Sequence, residues 1–432
     1  MPEILLIING LKHHFPRNFP TFLAIIGAML CMSGPKTMLN ISRWTPFCYK
    51  TIERFYQRRI PWLELNWSLL KNFAPTTELI IASDETIAKK SGKKTHGLDF
   101  FFSSVLQKTV KSICFSGISV IHPYKKRSYP LLLTQLVFTP YEKEIAHIQR
   151  EKRRQAKGNK VGRPKGSLNK KEDKPLAPTF RLLKEQLTQV KSVIPLGIKH
   201  FVGDGKYGNQ TCARICHEFD YDLVSKLQYN SVLYFKYEGP YQGAGRPKIY
   251  GERLDYKNLD DKYLVHQEEF EGETTKIYHL PNLIRKSFDC PLNIVLIQKT
   301  KAKRVSQVIL FSTDLGLSHQ TIIDYYSSRF QIEFNFRDAK QFWGLEDFMN
   351  IKENRVHNAA NLAFFMVNIS TLLLAKFRIK TENPLSGIRD LIAAYRAERY
   401  YRETLKLLRK FNPHILIPEH HDPIASLGLI HS

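Results

Sequence analysis

Tyr326, Arg329, Glu333, Arg337 and Lys340 set a phenol, two guanidinia, one carboxylate and one ammonium along fifteen residues of chain. On a helix turning about 100° per residue, with Tyr326 as zero, they fall near 0°, 300°, 340°, 20° and 320°, an arc of roughly 80°. Phe330 and Phe334 then fall near about 40° and 80°, and Ile332 and Phe336 near about 240° and 280°, so apolar walls flank the polar stripe. Gln331, Asn335 and Asp338 take the opposite face. Charges on a surface helix usually gather away from apolar residues, so this pattern suits a cleft. A ladder of salt bridges through Arg329, Glu333 and Arg337 would need no such walls. One carboxylate among cations has a use in magnesium-assisted phosphoryl chemistry. Two hard cations about 3.5–4 Å apart need a few carboxylates, while positive side chains hold the phosphodiester.

The partner carboxylates are expected at strand ends. Asp84 closes Ile81-Ala82-Ser83-Asp84 and Asp204 closes Phe201-Val202-Gly203-Asp204. If these two strands are neighbours, both aspartates emerge at one end of a sheet and the helix bearing Glu333 packs across them. Taken singly, each aspartate is also an ordinary turn former. Glu85 and Asp338 are the acids most easily mistaken for ligands, and the helical wheel sets Asp338 on the wrong face.

The elements that must position these groups follow from pattern. Short β-branched or aliphatic runs over Glu78 to Asp84, Ile113 to Ile121 and Tyr129 to Phe138 predict an antiparallel meander. Helices are expected over Tyr141 to Lys157, near Phe180 to Val193 and from Asn209 to Glu218. Strands are expected at Ile198 to Gly203 and Tyr221 to Leu227, an alternation that favours parallel addition to the meander. Residues 228–303 read as a β-rich insertion, and Arg304 to Thr313 as a returning core strand. Ser318 is placed to cap one long helix reaching Trp343, itself read as a core residue. The expected division is a helical DNA-binding region over 1–77, a first core part over 78–227 with a basic linker at 150–178, the insertion, a second core part over 304–350, and a helical region over 351–432. Within 1–77, Ser42 to Arg59 leaves a helix-turn-helix reader and an ordinary basic helical cap both open.

Composition narrows the partners. Sixty-five Lys and Arg against forty Asp and Glu leave a formal charge of +25, which points to a polyanion, and nucleic acid fits it better than a membrane. The six cysteines are scattered rather than framed as disulfides, so a reducing compartment is expected. Cys212, Cys216 and His217 lack a second ligand pair at zinc-site spacing. Phe19 to Met32 and Ala359 to Ala375 fall short of a bilayer span, and Met1 to Asn9 lacks the basic start of a signal peptide. A protein inside the cell and off the membrane is therefore expected. Arg150 to Lys174 carries eleven Lys or Arg and three acids, a net of +8. Inside it Gly162-Arg163-Pro164-Lys165-Gly166 is similar to an AT-hook core, and Gly245-Arg246-Pro247-Lys248 repeats the tetrad. Such segments place Arg in a narrow minor groove, so Arg163, Lys165 and Arg246 are candidate DNA contacts.

Tyr326-x2-Arg329-x3-Glu333-x6-Lys340 resembles the Y-(2)-R-(3)-E-(6)-K signature of a large branch of bacterial insertion-sequence transposases, DDE enzymes with a ribonuclease H-like core. Leu310-Phe311-Ser312-Thr313-Asp314 and Tyr326 to Glu333 also look like that branch, which often has Trp where Phe330 stands. Asp204-Gly205-Lys206-Tyr207 is similar to its second motif. Asp84-Glu85-Thr86 resembles its first, with Glu85 where a second Asp is frequent. The resemblance spans residues 78–350, and the flanking regions match only loosely.

The resemblance implies an α/β fold: a ribonuclease H-like mixed sheet with flanking helices, a β-rich insertion and helical terminal regions. It implies Asp84, Asp204 and Glu333 as a triad holding two Mg2+ ions, with Mn2+ able to substitute. Lys340 and Arg329 would hold backbone phosphates and Tyr326 would help position the strand end; Arg337, on the same helical stripe, is a further candidate DNA contact. The implied reaction is cleavage at transposon ends and strand transfer into a target. Its partners would be duplex DNA, carrying terminal inverted repeats or target sequence, and a second copy of the chain on paired ends. A cytoplasmic, nucleoid-associated place in a bacterium follows. Two other outcomes stay open: a nuclease of the same core without strand transfer, and a DNA-binding descendant that has lost catalysis.

Overall fold

The computed structural model describes residues 2–71, 78–103, 105–155, 175–194, 197–241, 243, 245, 247–302 and 304–407. Five helices come first: α1 (Pro2–Ile8), α2 (Phe19–Cys31), α3 (Met38–Arg43), α4 (Tyr49–Tyr56) and α5 (Trp62–Leu70). Then follow β1 (Ile80–Lys89), β2 (Asp99–Ser103), β3 (Lys108–His122) and β4 (Arg127–Leu136), helices α6 (Pro140–Gln155) and α7 (Pro178–Val193), β5 (His200–Val202), α8 (Gln210–Glu218) and β6 (Asp222–Leu227). Next are β7 (Tyr234–Lys236), β8 (Tyr250–Arg253), β9 (Leu264–Phe270), β10 (Glu273–Leu283), β11 (Leu292–Lys301) and β12 (Arg304–Ser312). Helices α9 (His319–Ser328), α10 (Gln331–Gln341), α11 (Glu353–Lys380) and α12 (Ile388–Leu407) complete the order.

Alternating apolar and small residues let β1, β3 and β4 pair antiparallel, and β5 then adds parallel to β1 and β6 parallel to β5. This run, β4-β3-β1-β5-β6, is the mixed arrangement expected of a ribonuclease H-like fold. The sheet continues through β12, β11, β10 and β9, so most strands of the β-rich stretch extend the central sheet, and only β7 and β8 form a separate ladder. The strand β2, a short Phe-rich edge, lies outside the three-strand meander read from sequence.

Helices cover both faces. On one, α7 packs on β3 and β4 while α8 packs on β6; on the other, α9 lies over β6, β11 and β12, and α10 over β1, β3 and β4. Buried side chains of α1, α2, α4 and α5 join one core with those of β1, β3, β4 and α11. Helix α11 is long and apolar enough to cross a membrane by length and composition, yet 61% of its apolar window is buried inside the molecule. The asparagines that interrupt it explain this. Asn361 Oδ1 accepts from Leu133 N and Asn361 Nδ2 donates to Leu133 O, both at 2.8 Å, capping the backbone of β4. Asn358 accepts from Trp62 Nε1 at 2.8 Å, and Asn368 donates to Asn66 Oδ1 at 2.7 Å. Each buried amide is thus tied to a neighbouring element, as a core helix requires.

Two sequence expectations need correction. Asp84 does not end its strand: β1 runs five residues further, to Lys89, because Thr86 and Ala88 continue the buried alternation. The helix capped by Ser318 is not continuous either. The cap forms, with Ser318 Oγ accepting from Thr321 N at 3.1 Å, but the rod breaks at Arg329 and Phe330 into α9 and α10. Tighter turns carry the bend, Phe330 N to Ser327 O at 3.3 Å and Glu333 N to Phe330 O at 3.1 Å. The physical reason is that α9 follows one half of the sheet and α10 the other.

Candidate active site

The bend between α9 and α10 brings Arg329 over Asp84 of β1, with Glu333 one turn further along. In the parallel pair β1 and β5, Ile81 opposes Phe201 and Ala82 opposes Val202, an offset of 120 residues. Asp204 follows two residues after Val202, the last paired position, in the turn beyond the end of β5. Across β3, Asp84 opposes Gly117. Phe336 of α10 lies against that glycine: a Cβ placed there would stand 2.6 Å from the Phe336 ring. A mid-strand glycine of this kind marks close approach, and Gly117 within its apolar run was the signal that sequence reading passed over. Phe336 is also stacked on Phe364 of α11, ring centroids 5.8 Å apart. Helix α10 is therefore seated directly above the Asp84 row.

Arg329 joins the acids. Its Nη1 donates to Asp84 Oδ2 at 3.1 Å and its Nη2 to Glu333 Oε1 at 3.5 Å. Tyr326 stacks against the guanidinium, 5.9 Å from its ring centroid, and its own hydroxyl pKa is raised, chiefly by burial. Asp84 Oδ1 accepts from Glu85 N at 2.8 Å. Burial pushes the Asp84 carboxyl up to about 6; the Glu85 amide and Arg329 pull against that, and the nearby charges of Asp204 and Glu333 add to it. Asp204 Oδ1 accepts from Lys206 N at 3.0 Å, and its carbonyl accepts from Ser225 Oγ at 2.7 Å, fixing the turn after β5. Beside it a cleft of about 490 Å3 is lined by Lys206, Asn209, Gln210 and Arg285.

The remaining stripe residues diverge. Lys340 reaches Glu346 at 3.5 Å. Arg337 folds back on Asp338 at 3.0 Å and covers the Phe334 ring at 4.6 Å, away from the triad. The two apolar walls also differ, since Ile332 and Phe336 are core while Phe330 and Phe334 are 48% and 36% exposed. The face opposite the stripe is not solvated: Asn335 donates to Ser119 and Ser128, and Asp338 is half buried with its carboxyl raised by burial. Glu85 alternates to the other face of β1, where Thr179 of α7 and Lys206 donate to Oε1 at 2.8 and 2.7 Å. That tether, from the sheet to the loop after Asp204, was not foreseen. Arg163, Lys165 and Arg246 lie outside the described residues.

Hard divalent cations suit carboxylates such as Asp84, Asp204 and Glu333, whose charges act on one another, with a guanidinium bridging two of them. Their oxygens are not yet gathered. Among the described residues, the group whose ligand atoms all lie within 4.8 Å of one another is His200, Asp222 and Asp314, at the opposite end of β5 and β6. There His200 Nε2 pairs with Asp314 Oδ2 at 3.0 Å and Thr313 Oγ1 donates to Asp222. Trp343 is core as expected, and Cys212 and Cys216 are buried.

Raising the Asp84 carboxyl has a consequence for stability. Between its ordinary value near 3.8 and about 6 the folded chain holds a proton that the unfolded chain releases, so stability falls as pH rises through that window. Without metal, Asp84→Asn is expected to melt above the wild type at pH 7.5, with the gap closing toward pH 4. Melting curves in EDTA across that range check this; a lower melting temperature at pH 7.5 would show that the Arg329 bond outweighs the cost of burial.

A family model described as DDE superfamily endonuclease matches residues 10–278, which include Asp84 and Asp204 and stop short of α9 and α10. No curated protein matches the chain.

Proposed function

Because the chain belongs to the DDE superfamily of endonucleases, a transposase or nuclease type of function on DNA, we propose that it is a cut-and-paste transposase. It cleaves DNA at the ends of its own element and joins the freed ends to a target. The observation that supports this reading is that Asp84 on β1 feels the nearby charges of Asp204, in the turn after the adjacent parallel strand β5, and of Glu333, which Arg329 ties to it. Asp84, Asp204 and Glu333 would hold two Mg2+ ions, which Mn2+ would replace. Bound there, the ions would supply an activated water or 3′-hydroxyl and stabilise the leaving oxygen. Lys340 and Arg329 would hold backbone phosphates beside the scissile bond. Tyr326, half-buried against Arg329, would keep the guanidinium and the strand end in place. The cations of the Lys206 and Arg285 cleft would guide the strand away from Asp204. Two copies would assemble on paired ends.

The test is incubation of the full chain with a duplex carrying the DNA that flanks its gene, with magnesium or with EDTA. Magnesium-dependent cuts at a defined repeat, followed by products joined to a second DNA, support the proposal. Cuts that never join would leave a nuclease, and binding without any cut a DNA-binding descendant.

The basic segment Arg150 to Lys174 carries a second expectation. Its removal should weaken duplex binding and flatten the dependence of log K on log salt by about 0.9 for every phosphate the segment neutralises. Filter binding or fluorescence anisotropy at several salt concentrations measures the slope, and an unchanged slope would rule the segment out as a DNA contact.

A further inference from the structure

Arg329 is bound in a way that a residue serving only DNA would not need. Its side chain is 14% exposed, its two terminal nitrogens are spent on Asp84 and Glu333, and its Nε is buried with no hydrogen-bond partner. Asp84 Oδ2, the oxygen that accepts from Arg329, is the one left free by the Glu85 amide. The three carboxylates are not drawn within ligating distance of one another, and the guanidinium lies between two of them. A guanidinium and a divalent cation held against the same carboxylate oxygen repel each other, so the binding of one weakens the binding of the other.

We propose that Arg329 is a built-in counter-ion for the triad, displaced from Asp84 and Glu333 when divalent cations enter and then passed to a DNA phosphate. This rests on the triad reading given above. In the metal-free chain one positive charge offsets part of the repulsion among three carboxylates, holding Glu333 over Asp84 and the site in register. On loading, the cations take over that work and the guanidinium needs a new anion. The DNA backbone supplies it, because a planar fork suits phosphate as well as carboxylate. Metal and DNA then strengthen each other's binding, and by linkage the coupling is equal in both directions. The device keeps an unliganded acidic site from binding cations strongly until DNA is present.

Mn2+ binding to the full chain, followed by water-proton relaxation at pH 8 with and without a duplex, tests this without reference to cleavage. Arg329→Ala is expected to bind Mn2+ on the order of tenfold more tightly than wild type when DNA is absent, within the usual span of coupling between sites. Arg337→Ala, which removes the same charge from a residue paired to Asp338, should leave Mn2+ binding unchanged. Adding duplex should tighten Mn2+ binding to wild type and leave that of Arg329→Ala unchanged. Should Arg329→Ala fail to fold, judged by its melting curve, Arg329→Lys keeps the charge without the fork and should fall between the two. The proposal is overturned if Arg329→Ala binds Mn2+ no more tightly than wild type, if Arg337→Ala gains as much, or if DNA tightens both proteins equally. Asp84→Asn and Glu333→Gln separate the two layers. If both bind Mn2+ as wild type does, the triad reading itself fails; if both lose it while Arg329→Ala matches wild type, only the counter-ion role does.

Discussion

Glu333→Gln is expected to reduce DNA cleavage to background while leaving duplex binding and the melting temperature close to wild type. Glutamine keeps the volume and one oxygen of the side chain and removes its charge. Glu333 is 44% exposed and among the described residues its ion pair is with Arg329, which retains Asp84 as a partner, so the fold has little at stake. The reaction has much more. A metal-holding carboxylate supports several kcal/mol of charge stabilisation in phosphoryl transfer, and at about 1.4 kcal/mol per decade this corresponds to a loss on the order of 10³-fold. Single-turnover cleavage of an end-bearing duplex, read beside an anisotropy titration of the same DNA, measures both. Parallel loss of cleavage, DNA binding and thermal stability would make Glu333 a structural residue instead.

Gly117→Val is expected to have the next largest effect, although the residue has no chemistry of its own. The position opposes Asp84 on β3, and a Cβ there would stand 2.6 Å from the Phe336 ring and 3.2 Å from Leu133. Phe336 has no room to retreat, because it is buried and stacked on Phe364 of α11. A β-branched side chain must therefore lift α10, and Glu333 lies less than one turn before Phe336 on that helix. Overpacking of this kind costs about 1–3 kcal/mol of stability. A displacement near 1 Å at a reacting centre costs about 10²-fold in rate. Cleavage should fall by that order while the melting temperature drops by a few degrees, and Gly117→Ala should show a milder form of both. Pairing Gly117→Val with Phe336→Ala restores the space and should recover part of the stability. Full cleavage by Gly117→Val would mean that contact with β3 does not set the height of α10.

The resemblance of its motifs pointed to the ribonuclease H-like class, and the sequence alone determined the parallel addition of two strands to an antiparallel meander, the Ser318 cap and the buried Trp343. Those features rest on local periodicity and capping chemistry, which a linear chain displays directly. Residue type and spacing also named Tyr326, Arg329 and Glu333 as one group, and their contacts with one another follow helical geometry even across the bend. What only the tertiary structure decided depends on how two elements fit. Asp84 sits within β1 rather than at its end, because pairing with β3 and burial of Thr86 and Ala88 carry the strand past it. The helix breaks at Arg329 and Phe330 because its halves follow different parts of the sheet, and Arg337 pairs with its neighbour Asp338. The guanidinium bridge from Asp84 to Glu333 has no local signature, and Gly117 marks a close approach without naming Phe336 as what fills it, since each contact joins residues more than two hundred positions apart. Close approach of that kind is fixed by packing density, and packing is a property of the folded interior that no stretch of sequence carries by itself.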